Sequence, residues 1–222
     1  MKVEETYEQL ESIPPKNSLR DILKKIYIEE LAQLHRNIKK FFVLTIILFF
    51  GTALITFIIF NVFPDNVSSL IEKMAQSYNI DADPFTLKES IIIFLHNFTV
   101  CVFSIFFGMI PFVFIPAFTC ISNGYALGLV LASYSILKEN VFLVLLTGVV
   151  PHAIFEIPVI LYSFSIGIWL CKRNTRYLIT KKESDGHATR IIKAFKFIVI
   201  PALLIAALIE TFVTPILMNA VK

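Results

Sequence analysis

The chain has 222 residues, 56% of them hydrophobic and 22 of them phenylalanine, with a mean hydropathy of +0.75 and a net charge of +3. That is too apolar for a soluble domain of this length, and the long apolar runs exclude a barrel, whose strands would alternate over about ten residues. The sequence predicts an all-α integral membrane protein with about five transmembrane helices, some broken by proline or glycine. Cys101, Cys120 and Cys171 all fall in or beside apolar runs and form no Cys-x-x-Cys pair. A disulfide framework or a thiolate zinc site is therefore not expected.

Residues 1–40 form a polar segment ahead of a multispan membrane domain over residues 41–217. The segment lacks the short apolar region of a removable signal peptide, so it is expected to be retained. Within it, Leu19, Ile22, Leu23, Ile26, Leu31, Leu34 and Ile38 share roughly one helical face after a possible N-cap at Ser18. This predicts an amphipathic cytoplasmic helix. Lys24, Lys25, Arg36, Lys39 and Lys40 suit it to an anionic leaflet, and docking onto a partner protein is the equal alternative.

The expected spans are residues 41–63, 91–110, 112–137, 141–171 and 197–217. Pro64 to Ser90 carries five acidic and two basic residues, whereas Lys172 to Lys196 carries eight basic and two acidic ones. By the positive-inside rule the second segment and the N-terminus are cytoplasmic and the first is outside, which leaves the C-terminus outside the cell membrane. The apolar connection around Gly108 and Pro111 is open to two readings, a cytoplasmic turn or a re-entrant element. Its Gly-Met-Ile-Pro echoes Gly-Val-Val-Pro at Gly148 to Pro151. Pro151 and Pro158 each remove a helical donor, so the carbonyls they free should face protein or water. Gly124 and Gly128 have the spacing for close helix approach.

Glu156 and Glu210 are the charged residues inside the expected spans, and each ionised carboxylate near the membrane centre costs on the order of 2.5–3.5 kcal/mol. Gly148, His152 and Glu156 recur at intervals of four and share a helical face. His96, Asn97, Asn123 and Glu210, with Thr211 and Thr214 beside it, are the polar candidates on other spans. These side chains could serve as interhelical glue, as a proton or ion pathway, or, with His152 and Glu156 joined by His96 or Glu210, as a metal site.

The order His96-Asn97, Gly108, Pro111, Asn123-Gly124, Gly128, Pro151-His152 with Glu156, and Glu210 with Pro215 resembles the membrane domain of the stage II sporulation protein M family over about residues 91–215. The resemblance implies a five-span scaffold that, in spore-forming bacteria, recruits peptidoglycan-degrading partners. Other relatives occur in organisms that do not sporulate, including circular bacteriocin gene sets. It implies no established chemistry and no particular cofactor.

The resulting expectation is a membrane component of a cell-envelope or export assembly with an intramembrane polar pocket. Its partners would be the lipid bilayer and other envelope proteins, with a homo-oligomer allowed and no nucleic acid. The alternatives are a proton- or cation-coupled transporter using Glu156 and Glu210, and an intramembrane metal-dependent hydrolase.

Overall fold

The structure, a computed structural model, describes residues 30–64, 85–181 and 187–220. Among them there is no strand, and five helices are long and apolar enough to cross a membrane: α1 (Ala32–Val62), α2 (Leu87–Gly108), α3 (Ile115–Ile136), α4 (Val141–Thr180) and α5 (Ala188–Asn219). Residues 1–29, which hold most of the expected amphipathic segment, lie outside the described residues.

Helix α4 is the hub and packs against all four other helices. From Val159 to Cys171 nearly every residue is buried, on all sides of the helix. Small side chains make this possible, because in lipid the attraction between helices comes from close packing rather than from expelling water. A Cβ on Gly108 of α2 would overlap the backbone of Gly167 on α4. Across the bundle, a Cβ on Gly124 or Gly128 of α3 would strike the carbonyl oxygens of Phe49 and Ala53 on α1. Hydroxyls reinforce these approaches: Ser104 Oγ donates to the Ser163 carbonyl at 3.2 Å, and Thr45 Oγ1 to the Leu161 carbonyl at 3.3 Å. Cys101, Cys120 and Cys171 are buried, free thiols.

Three of the prolines are accommodated by one device. Single π-helical turns occupy Leu145–Val149, Phe195–Val199 and Ile209–Val213, and each ends two residues before a proline, Pro151, Pro201 or Pro215. The residue just before each proline donates five residues back: Val150 to Leu145, Ile200 to Phe195 and Thr214 to Ile209. Proline removes one donor and presses on the carbonyl four residues earlier, and widening the preceding turn re-pairs the backbone without ending the helix. Pro151 and Pro215 therefore bulge their helices rather than break them. Pro158 also lies within continuous helix. Pro158 and Ile154, the residue four before it, are exposed, Ile154 by 62%, so this proline sits on the outer side of α4.

The connection that holds Pro111 is a short turn between α2 and α3, not a further helix. Besides local backbone bonds, α4 supplies side-chain partners to its backbone: Thr175 Oγ1 accepts from the Phe112 N–H at 2.8 Å, and Asn174 Nδ2 donates to the Met109 carbonyl at 3.0 Å. Phe112 has φ 67°, a left-handed conformation uncommon for a side chain of this bulk. The resemblance of Gly108–Pro111 to Gly148–Pro151 is thus not a structural repeat, since one stretch ends a helix and the other lies in a π turn.

Leu31, Leu34 and Ile38 are buried in the same apolar cluster as Ile191 and Ala194 of α5. Glu30 pairs with Lys193 at 2.6 Å nearby. In the described part, the apolar face of this stretch covers protein, and the helix runs straight on into α1.

Candidate functional site

The polar residues of the spans are positioned by the antiparallel register of α4 against α5. A Cβ on Gly148 would lie 3.2 Å from Met218 Sδ. Four residues on along α4 and four back along α5, His152 Nδ1 is 3.4 Å from Thr214 Oγ1. Another such step brings Glu156 opposite Glu210. One ring nitrogen of His152 and one carboxylate oxygen from each glutamate all lie within 4.8 Å of one another. Gly148 allows the close contact, and the π turns before Pro151 and Pro215 flank the His152–Thr214 level on opposite sides.

Asn97 of α2 reaches the Glu156 carboxyl from a third side. The Oε2 atom of Glu156 is buried without a hydrogen-bond partner among the described residues. Beside it is a cavity of about 140 Å³, lined by His152, Glu156, Asn123 and Val149 and by apolar residues such as Phe49 and Leu127. Asn123 donates its amide to the Thr119 carbonyl at 2.8 Å, within its own helix, and its side chain borders this cavity. His96 is exposed and is not part of the group, although its neighbour Asn97 is. The side chains of His152, Glu156, Glu210, Asn97 and Asn123 are half-buried.

Two carboxylates this close repel when both are charged, and the low polarity of a bundle interior strengthens the repulsion. Such a group needs a positive partner, a proton or a metal ion, and it has an imidazole beside it that can carry either. A metal would be held by His152, Glu156 and Glu210, the residue types that zinc and similar ions take.

Sequence reasoning overlooked several positioning residues. Gly167 stands in an apolar run with no paired glycine at four-residue spacing. Met218 faces Gly148 only because of the α4–α5 register. Pro201 lies in an apolar run five residues beyond Lys196, with no polar candidate beside it to draw notice.

Comparison with known proteins agrees with this architecture. The family model for stage II sporulation protein M matches residues 41–215, which adds the first span to the region recognised from motifs. The uncharacterized protein MJ0793 of Methanocaldococcus jannaschii is 36% identical over 115 residues, a match covering 50% of this chain and 61% of that relative. The chain therefore spans less than two thirds of the length of the relative it matches. No solved structure matches. With the family model covering most of the chain and five apolar helices present, this is a multi-pass membrane protein, and it belongs to the stage II sporulation protein M family.

Proposed function

We propose that this chain is a membrane component of a cell-envelope or export assembly, and that the pocket formed by His152, Glu156 and Glu210 is its working part. The observation that carries the reading is the meeting of both intramembrane glutamates, from different helices, around one histidine within 4.8 Å. Interhelical glue does not require this arrangement, since a single amide or hydroxyl would bridge two helices without bringing like charges together.

In this reading the N-terminus and the basic Lys172–Lys196 segment face the cytoplasm, and the C-terminus faces outward across the cell membrane. The hydrogen bonds that join Asn174 and Thr175 with the α2–α3 turn, and the Glu30–Lys193 pair, support grouping these segments at one end of the bundle. Other envelope proteins, or further copies of this chain, would contact its exposed apolar surfaces.

Deleting the gene in its host and measuring envelope permeability to a dye tests this role. The wild-type chain and His96→Ala should restore the barrier. The Glu156→Gln, Glu210→Gln double variant, present at wild-type level, should not. Restoration by the double variant would contradict a working pocket, because an amide can replace a neutral carboxyl in structural hydrogen bonds.

The convergence of carboxylates also favours a second reading, a proton- or cation-coupled transporter. Purified protein in sealed liposomes loaded with a pH-sensitive dye separates the two. Flux that the double variant abolishes would establish transport, and sealed vesicles without flux would leave the assembly component.

A further inference from the structure

We infer that His152, Glu156 and Glu210 form a binding site for one divalent transition-metal cation within the membrane. The inference deepens the proposed function and rests on it, because it names the ligand of the same pocket.

Charge is the first argument. Two carboxylates and a neutral imidazole balance a dication, so the loaded site has no net charge to bury. A monovalent cation would leave one negative charge in the bundle. Donor type is the second. The nitrogen lone pair of His152 suits zinc, iron or manganese, whereas calcium and magnesium prefer oxygen alone. In the tautomer whose Nδ1–H donates to Thr214 Oγ1, Nε2 of His152 is left to bind a metal, the usual arrangement behind a metal-bound histidine.

Geometry is the third argument. Bonds of about 2.0–2.1 Å at tetrahedral angles would set the ligand atoms about 3.3 Å apart. Their present spacing, within 4.8 Å, closes to that by small side-chain rotations once a cation offsets the repulsion between carboxylates. The buried Glu156 Oε2, which has no hydrogen-bond partner among the described residues, is an acceptor that a cation would satisfy. The three protein ligands leave a fourth position, and the cavity of about 140 Å³ lined by Asn123 borders His152 and Glu156 with room for a water molecule.

The test uses the full chain purified in detergent, stripped with a chelator, titrated with Zn²⁺ and separately with Mn²⁺, then desalted and measured for bound metal. One ion per chain is expected for at least one of the two metals. Its affinity should fall at least tenfold in Glu210→Gln and in His152→Ala, with no change in His96→Ala.

Absence of binding to the folded wild-type chain, or binding that survives both site changes, would overturn the inference. If a variant fails to fold, the absorption of Co²⁺ in the wild-type chain decides. Tetrahedral nitrogen–oxygen bands support the site, and the spectrum of the hydrated ion refutes it. A chain without metal whose envelope function still needs both glutamates would refute this inference and leave the pocket reading intact. Metal bound by a chain whose double variant still restores the envelope would do the reverse.

Discussion

Glu156 on α4 and Glu210 on α5 face each other in the third of three successive contacts, after Gly148 with Met218 and His152 with Thr214. The pairing follows from helix geometry, since residues four apart stack along one face. Two helices that keep this spacing in opposite directions bring Glu156 and Glu210 together.

Because they share a site, the two carboxyl groups should not act independently on stability. In a double-mutant cycle, Glu156→Gln and Glu210→Gln are expected to be non-additive by more than about 0.5 kcal/mol in denaturant unfolding of detergent-solubilised protein. Glu210→Gln combined with His96→Ala should be additive, because His96 is exposed and not part of the group. Additivity in the first cycle would place the carboxyls in separate environments.

The glycines should differ sharply in their tolerance of a methyl group. A Cβ at Gly124 would strike the Phe49 carbonyl, and one at Gly167 would crowd the Ser104 carbonyl, so each change to alanine should cost about 1–3 kcal/mol as helices are pushed apart. Gly51 has nothing within 4 Å of the same position, and Gly51→Ala should be neutral or stabilise by up to about 1 kcal/mol through helix propensity. Thermal unfolding of the three variants side by side checks the order.

The α2–α3 turn takes two of its backbone hydrogen bonds from α4. Thr175→Val removes the acceptor of the Phe112 N–H while keeping the side chain's shape, and should cost about 0.5–1.5 kcal/mol. Amide exchange at Phe112 should accelerate with little change in the middle of α4. Unchanged exchange would mean that the turn holds its shape without this bond.

The five spans were legible because each is an apolar run long enough for the bilayer and because the acidic segment 64–90 and the basic segment 172–196 bracket three of them. The extent of α4 was not. Its polar end, Lys172 to Thr180, continues as helix beyond the apolar run, since intrahelical hydrogen bonds serve the backbone equally well outside lipid. At the site, the four-residue spacing of Gly148, His152 and Glu156 announced a shared face. Which of two neighbours turns inward was hidden: His96 and Asn97 lie about 100° apart around α2, and only Asn97 reaches Glu156. The π turns were hidden too, because a proline in sequence announces a lost donor but not whether the helix breaks, kinks or widens to recover it.

The account rests on the α4–α5 register, and cysteine cross-linking measures it most directly. In a chain with Cys101, Cys120 and Cys171 replaced by alanine, Gly148→Cys with Met218→Cys should form a disulfide within one chain on mild oxidation in the membrane. Gly148→Cys with Ile216→Cys, displaced around the helix, should not. Efficient cross-linking of the second pair in place of the first would contradict the register and separate Glu156 from Glu210.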